Sequence, residues 1–418
     1  MFHTTFLIWN NSENLFFAKI IFYAKMCAYH MKNLCHWEVI MKLMHLSDLH
    51  IGKRVNEFSI LEEQRYILKE IVKIADVEKP QAVLISGDVY DKPVPPAEAV
   101  AVFDDFLVRL AKLDLQVFVI SGNHDSPNRL AFGGRLMHKS GVHLSPVYQK
   151  EITPITLQDN YGTVCIYMLP FIKPIHVRVC FPDADIVTYT DAVCHAIKQM
   201  DIDTTKRNVL LTHQFVIGSE RSESEEVSVG GTDGVSADVF DDFDYVALGH
   251  IHKPQCVKRE TLRYCGTPLK YSFSECRHKK SVTMVHMAQK GNIHIDTIPL
   301  IPKRDMKEIR GTYLELTAKS YYQALCLEDY YHITLTDEED IPDVLQKLRV
   351  IYPNIMKLDY DNQRTKNNQN ISFCDDVEKL TPLELISTFY EMQNNQPLSD
   401  VQKDFLQNLV EEIWEGEQ

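Results

Sequence analysis

Three absences narrow the sequence before any motif is read. No apolar run in the 418 residues reaches the ~18 needed to cross a bilayer as a helix, so no membrane partner is expected. The ten cysteines contain no Cys-x-x-Cys pair and no regular spacing, which argues against a zinc knot and a secreted disulfide framework. They read as reduced thiols in a cytoplasmic protein. A basic excess is also lacking: 44 Lys and Arg stand against 58 Asp and Glu, a net charge of −14. That balance weighs mildly against a nucleic-acid surface. Part of the acidic excess, however, lies in carboxylates that would face cations, and part in an acidic C-terminal tail. A metal site can neutralise phosphate without basic surroundings.

What is present is an ordinary globular composition, 45% hydrophobic, on a chain long enough for two or three domains. Leu15–Met26 is apolar but short, is broken by Lys19 and Lys25, and has no small-residue cleavage site after it. A secretory signal is therefore not expected there. The first strand opens directly at Met41-Lys42-Leu43-Met44-His45-Leu46. Residues 1–40 are accordingly expected to be an extension from an upstream start, with Met41 beginning the working protein, or else a poorly ordered segment.

The pattern after Met41 alternates strand and helix. Leu43–Ser47 reads as a strand, and Phe58–Val77 as a helix with Leu61, Leu68, Ile71, Val72 and Ala75 at helical spacing. Ala82–Ser86 reads as a buried strand. Pro95-Pro96 opens a helix to about Lys112, and Gln116–Ser121 is a third strand. This order implies a layered α/β core with a largely parallel centre. Strands follow at Val142–Leu144, Val164–Met168, Val209–Leu211 and Tyr245–Leu248, with a helix over about Asp191–Met200. Ser219–Gly234, rich in Ser, Glu and Gly, reads as a mobile loop. Strands near 262–264, 282–287 and 292–298 are expected to complete a second sheet, giving a two-sheet β-sandwich flanked by helices, four layers in all.

Past Pro302-Lys303-Arg304 the pattern changes. Tyr313–Leu316, Ile341–Ile351 and Ile355–Leu358 suggest a small α+β domain over 304–360, followed by a polar linker over 361–379. The tail, 380–418, carries two helix starts. Thr381-Pro382-Leu383-Glu384 supplies an N-cap, a proline at the first helical position and a capping-box Glu; Ser399-Asp400-Val401-Gln402 repeats the logic. Val401, Phe405, Leu409 and Ile413 fall at i+4 steps beside Leu406, Val410 and Trp414. That stripe is wide for the end of a chain. It suits docking on the protein's own core, or a helical hairpin that binds a partner.

The chemistry lies in five blocks, each behind a short apolar strand: Asp48-Leu49-His50, Gly87-Asp88, Gly122-Asn123-His124-Asp125, Thr212-His213 and Gly249-His250-Ile251-His252. Side chains at the C-terminal ends of parallel strands converge on one sheet edge. Asp48, His50, Asp88, Asn123, His213, His250 and His252 are the candidate ligands, suited to Mn²⁺, Mg²⁺ or Fe²⁺. Two such ions about 4 Å apart can activate water and clamp a phosphate for in-line displacement. Asp88 is the natural bridge, because its strand sits between those of Asp48 and Asn123. Asp48 and His50 occupy alternate positions and so point to one side, as do His250 and His252. His124 is the candidate catalytic residue, placed to stabilise the transition state or protonate the leaving oxygen, and Asp91 a candidate to orient it. Lys53, Arg54 and Arg129 either contact phosphates or are solvated surface charges. With 17 histidines present, His138, His143, His176 and His195 read as ordinary residues.

These blocks resemble the calcineurin-like metallophosphoesterases. Met41–Lys53, Gly87-Asp88-Val89-Tyr90-Asp91, Ser121–Ser126, Asp244–His252 and Tyr264-Cys265-Gly266-Thr267-Pro268-Leu269-Lys270-Tyr271-Ser272 narrow the likeness to the SbcD-type nuclease subunits of bacterial SbcCD complexes, from residue 41 to the C-terminus. The resemblance implies one metal on Asp48, His50, Asp88 and His252, a second on Asp88, Asn123, His213 and His250, and His124 in the catalytic position. It implies Mn²⁺-dependent cleavage of DNA: 3′-to-5′ exonuclease on duplex ends and endonuclease at hairpins, in repair, recombination and replication. Region 41–303 would be the nuclease domain, 304–360 its capping domain, and the C-terminal hairpin the grip on an SbcC-type ATPase that uses the ATP. Glu98–Lys112 is a candidate dimer helix within a heterotetramer. Thr267 stands where serine is commoner. The rivals are a phosphoesterase acting on phosphoproteins or small phosphodiesters, and a non-enzymatic scaffold. Against the first, Lys92 follows Asp91 and Asp125 follows His124, where phosphoprotein phosphatases usually show Arg and Glu.

Overall fold

A computed structural model describes residues 40–222, 225, 233–362, Leu383, Ile386, Ser387, Tyr390 and 397–415. Strand β1 (Met41–Leu46) leads into a short hairpin, β2 (Arg54–Val55) and β3 (Phe58–Ser59), and then helix α1 (Leu61–Glu78). β4 (Ala82–Ser86), α2 (Ala97–Ala111) and β5 (Gln116–Ile120) follow in the order the sequence predicts. Next come β6 (Val142–Leu144), the hairpin β7 (Ile155–Asp159) and β8 (Gly162–Leu169), α3 (Pro174–Cys180), α4 (Tyr189–Lys198) and β9 (Arg207–His213). β10 (Tyr245–Gly249), β11 (Gln255–Val257), β12 (Arg259–Tyr264), β13 (Ser281–Met287) and β14 (Ile293–Pro299) complete the main body.

Two six-stranded sheets result, in the orders β14-β13-β1-β4-β5-β6 and β11-β12-β10-β9-β8-β7. Their centres are parallel: β1, β4, β5 and β6 in one, β8, β9, β10 and β12 in the other. Parallel strands covered on both faces have no polar face, which is why β4 (AVLIS) and β10 (YVALG) are buried along their whole length. Leu43, Leu84 and Phe118 of the first sheet meet Ile166, Val209 and Ala247 of the second in the inter-sheet core. α1 and α2 cover the outer face of the first sheet through Ile67, Ile71, Val102 and Phe106. α3 and α4 cover the second through Val177, Val193 and Ile197. The layers are therefore helix, sheet, sheet, helix.

One sheet assignment changes. The strands near 282–287 and 292–298 belong to the first sheet, not the second. β13 pairs antiparallel with β1 from Met41↔Met287 to His45↔Thr283, and β14 lies outside it. Without β13, that side of β1 would present unpaired main-chain groups, and an antiparallel return strand supplies their partners. Alternation along a strand specifies its buried face but not the sheet it joins.

A third, three-stranded sheet follows: β15 (Met306–Gly311), α5 (Tyr313–Thr317), β16 (Tyr330–Leu335), α6 (Val344–Arg349) and β17 (Ile355–Tyr360), parallel throughout. Leu316, Tyr331, Ile333, Leu348 and Tyr352 form its own core. Met306, Tyr330 and Met356 instead join the core of the first sheet, and Arg304–Glu63 and Lys270–Asp305 ion pairs span the junction.

Helix α7 (Asp400–Glu415) begins with the capping box read from the sequence: Gln402 N donates to Ser399 Oγ at 3.4 Å and Ser399 N to Gln402 Oε1 at 2.9 Å. Of its apolar stripe, Val401, Phe405 and Leu409 are exposed, the first two at 79% and 66%. The other tail helix lies outside the described residues apart from isolated positions, as do residues 1–39, most of 223–232 and the expected linker beyond Asn362. Among the described residues no helix is long and apolar enough to cross a membrane.

Candidate metal centre

The two sheets approach each other most closely at the C-terminal ends of their parallel strands. A Cβ placed on Gly249 would lie 1.9 Å from the Ser86 carbonyl oxygen, and one on Gly87 would lie 2.4 Å from His213 Nδ1. Only glycine allows that approach, and Gly87 also has φ +87°. The glycines that precede Asp88 and His250 are therefore steric requirements of the junction.

Past the strand ends the backbone turns left-handed. Asp48 (φ 53°), His50 (φ 42°), Asp88 (φ 49°) and His250 (φ 102°) all have positive φ. Strand alternation alone would put Asp48 and His50 on one side. They do converge, but through these turns, because β1 ends at Leu46. Main-chain bonds extend the pairing of β1 and β4 through the turns: Asp48 N to Gly87 O at 3.0 Å, His50 N to Asp88 O at 2.9 Å and Ile51 N to Val89 O at 2.9 Å. Residues in sparsely populated backbone regions persist where the surroundings hold them, most often at functional sites.

Asp88 lies at the centre. Its Oδ2 is 3.3 Å from His213 Nε2, 3.6 Å from His50 Nε2 and 4.0 Å from His124 Nε2. Asn123 Oδ1 is 3.0 Å from both His213 Nε2 and His250 Nδ1. Asp48 accepts from His250 N at 3.0 Å and from Ser47 Oγ. Asp48, His50 and His252 bring ligand atoms within 4.8 Å of one another, as do Asp48, Asp88 and His213, and each trio could hold a cation. All seven sequence-derived candidates thus meet at one junction.

Burial raises the Asp48 carboxyl against the pull of His213. Burial acts the same way on Asp88, but His213, His50 and His124 outweigh it and hold Asp88 well below the usual carboxylate range. Burial opposes positive charge on His213, yet Asp88 and Asp48 push it up to about 9. At His50 and His250 burial prevails and pushes both imidazoles down, His250 to about 3. The two carboxylates therefore draw positive charge into a region that is otherwise dry. The fit to a metal rests on His50: it is 1% exposed, and neither ring nitrogen has a hydrogen-bond partner. A buried imidazole without partners is costly unless something else takes its lone pair.

His124 sits at the rim, its side chain 19% exposed against 1% for His50 and 0% for His213. Its Nδ1 faces the main-chain carbonyl of Asp91 at 3.1 Å. The Asp91 carboxylate pairs with Lys53 Nζ at 2.8 Å, with His50 Nδ1 at 3.8 Å, and offers an oxygen within 4.8 Å of a His124 ring nitrogen. Asp91 thus faces His124 with its main-chain carbonyl and, at longer range, with its side chain. Lys53 is committed to that ion pair, whereas Arg54 and Arg129 are exposed. His143 bonds Gln116 and His195 packs on Phe181, both away from the cluster.

The groups that hold this cluster in place do not stand out in the sequence. Asp125 bridges the loops of Asp88 and Asn123, accepting from Val89, Tyr90 and Gly122 main-chain N–H. Gln64 Nε2 donates to His50 O at 2.7 Å, and Tyr271 Oη donates to Leu49 O. Gln64 left a trace in the sequence, because it is a polar residue in phase with Ile60, Ile67, Leu68 and Ile71 on the buried side of α1. Thr267, Glu275 and Lys280 form a further buried group behind His252.

Fold and cluster together suit a metal-dependent hydrolase. The profile of the calcineurin-like phosphoesterases matches residues 41–254, and that of the type 5 capsule protein repressor C-terminal domain matches residues 302–394. The SbcD subunit of the nuclease SbcCD of Staphylococcus epidermidis is 31% identical over 381 residues, covering 90% of this chain and 100% of that protein. Its counterpart in Staphylococcus saprophyticus is 30% identical over 382 residues, covering 90% and 99%. A solved dimetal phosphatase from Danio rerio aligns with a TM-score of 0.37 and 9% identity over 63% of this chain and 97% of its own, a likeness too remote to argue from. The chain belongs to the calcineurin-like phosphoesterases and, among them, to the family of the SbcD subunit of the nuclease SbcCD.

Proposed function

We propose that this protein cuts DNA as the nuclease subunit of an SbcCD-type complex, using two divalent ions, with Mn²⁺ as the leading choice and Mg²⁺ or Fe²⁺ as alternatives. Asp48, His50, Asp88 and His252 would hold one ion, and Asp88, Asn123, His213 and His250 the other, with Asp88 bridging. The observation that carries this reading is the buried His50 ring, neither nitrogen of which makes a hydrogen bond, beside an Asp88 oxygen that three imidazoles surround at 3.3–4.0 Å. When bound, the ions supply an acidified water and charge to offset the phosphate. His124 at the rim meets the substrate, and the Asp91 carbonyl fixes its Nδ1–H so that Nε2 serves the leaving oxygen.

The same reading assigns the remaining parts. The activity is 3′-to-5′ exonuclease on duplex ends and endonuclease at hairpins and single strands, in repair, recombination and replication. The third sheet caps the nuclease body. The exposed stripe of α7 binds an SbcC-type ATPase, which alone uses ATP. The outer side of α2, where Val100 and Val108 are each 44% exposed, is the candidate dimer contact within a heterotetramer. The free thiols at Cys165, Cys180, Cys194, Cys256, Cys265, Cys276 and Cys326 suit a cytoplasmic enzyme. The test is Mn²⁺-stimulated degradation of a blunt, end-labelled duplex by the purified chain, with and without its ATPase partner and beside a phosphopeptide. Turnover of the phosphopeptide with the duplex left intact would overturn the proposal in favour of a phosphoprotein phosphatase.

A further inference from the structure

Buried charged side chains hold His252 at three points. Its ring Nδ1 lies 3.2 Å from Glu275 Oε1, its N–H donates to Glu225 Oε1 at 2.6 Å, and its carbonyl accepts from Lys280 Nζ at 2.9 Å. Lys280 Nζ also donates to Glu275 Oε2 and, at 2.6 Å, to Thr267 Oγ1. Glu275 is 0% and Lys280 6% exposed. None of these side chains belongs to the candidate ligand set. An apolar pair of similar volume would often fill such a space at no loss of stability.

The arrangement has a chemical consequence. An imidazole ligand is neutral and offers one lone pair, so its other nitrogen carries the proton, and a hydrogen-bond acceptor decides which nitrogen that is. A carboxylate at Nδ1 requires Nδ1–H and leaves the lone pair on Nε2. The Lys280 ammonium donates to the other Glu275 oxygen, which leaves Oε1 to accept from His252. His213 meets the same need differently, through the main-chain carbonyl of Ser86 at 2.8 Å. No side-chain substitution removes that carbonyl, whereas the His252 acceptor is a side chain 23 residues away.

We propose that Glu275 and Lys280 are positioning residues of the metal centre: they fix His252 as its Nδ1–H tautomer and aim Nε2 at the ion shared with Asp48 and His50. Thr267 completes the donor shell of Lys280. The inference rests on the reading of His252 as a ligand. Groups that orient metal-bound histidines typically change affinity by about 10–100-fold when removed.

The experiment uses the full chain with two readouts, Mn²⁺ titration by calorimetry and ¹⁵N shifts of labelled histidines in metal-free protein. Glu275→Ala should weaken one Mn²⁺ site by roughly 10–100-fold, spare the other, and shift His252 away from Nδ1–H. Glu275→Gln/Lys280→Met, whose single amide oxygen is left to His252 once the ammonium is gone, should restore the tautomer and most of the affinity. An unchanged tautomer in Glu275→Ala overturns the inference, and so does equal weakening of both sites. If that variant does not fold, Glu275→Leu/Lys280→Met replaces the pair by apolar groups, and the same two readouts decide in the same way. His252→Ala separates the two levels. If it leaves both Mn²⁺ sites filled, the ligand reading itself fails; if it loses one site while Glu275→Ala loses none, only this inference fails.

Discussion

Asp125→Asn is the sharpest probe of how the centre is held together. Asp125 is 5% exposed. Its Oδ2 accepts Val89 N at 3.1 Å and Gly122 N at 2.9 Å, and its Oδ1 accepts Tyr90 N at 2.9 Å. Asparagine has one acceptor oxygen. In its better orientation it keeps the two bonds at the Oδ2 position and turns an amino group toward Tyr90 N–H. One orphaned buried donor costs about 1–3 kcal/mol, and making two charge-assisted bonds neutral costs roughly 1 kcal/mol each. Against this, burial and the nearby Asp88 push the Asp125 carboxyl up to about 6, a standing penalty that the neutral amide relieves. The net is a loss of at most about 2 kcal/mol, or roughly 4 °C in melting temperature. The catalytic effect is larger, because these bonds tie the loop of Asp88 to the loop of Asn123 and His124. A displacement of about 1 Å at a reacting site costs on the order of 10²-fold in rate. Thermal melts and Mn²⁺-dependent cleavage of an end-labelled duplex measure the two effects. An unchanged melting temperature with unchanged turnover would refute the bridging role.

Three further outcomes are expected. His124→Leu keeps both Mn²⁺ sites by calorimetry and lowers turnover by about 10²–10⁴-fold, and normal turnover would remove His124 from the mechanism. Burial, helped by Arg263, holds His45 neutral down to about 3, while the unfolded chain protonates it near 6.5. The folded state therefore binds fewer protons in that window, and stability falls as pH drops from 6.5 toward 3. In urea titrations at several pH values, His45→Gln should flatten this slope by about 1.4 kcal/mol per pH unit, and parallel slopes would contradict it. Phe405→Asp on the exposed stripe of α7 should abolish co-purification with the ATPase partner while sparing Mn²⁺-dependent cleavage by the isolated chain; retained binding would clear α7 of that role.

The cluster was legible because its residues come in blocks, each next to a strand end, and strand ends are where parallel sheets gather side chains. The adjacent glycines were legible too, although their reason, the 1.9 Å approach to Ser86 O, is visible only in three dimensions. The supporting layer was not legible. Asp125 sits inside a recognised block, yet nothing local reveals that its acceptors serve Val89 and Tyr90 more than thirty positions earlier. Nothing in the sequence marks Glu275 and Lys280, since Lys and Glu are almost never fully buried unless paired, and the pairing is visible only in the fold. Thr267 looked inconsequential, but its hydroxyl accepts from Lys280. The placement of β13 and β14 was lost because an apolar alternating strand pairs equally well with either open sheet edge.

An acidic chain that takes a polyanion must attract it locally. Among the seven candidate ligands only Asp48 and Asp88 are carboxylates, and the other five are neutral donors. Two divalent cations on that set would leave the centre net positive, whereas a site built from carboxylates alone would cancel the ions and repel phosphate. Of the other acids nearby, Asp91 is offset by Lys53 at 2.8 Å and Glu275 by Lys280. Without ions the carboxylates dominate, and Asp88 and Asp48 push His213 up to about 9 despite full burial, so it is the cations that would reverse the sign. The charge of −14 belongs to the whole chain, and its exposed part acts through solvent, where screening sets in within about 8 Å at physiological ionic strength. Buried charges are screened far less. The sign of the centre, rather than the sign of the chain, therefore governs the approach of a phosphodiester over the last few ångströms.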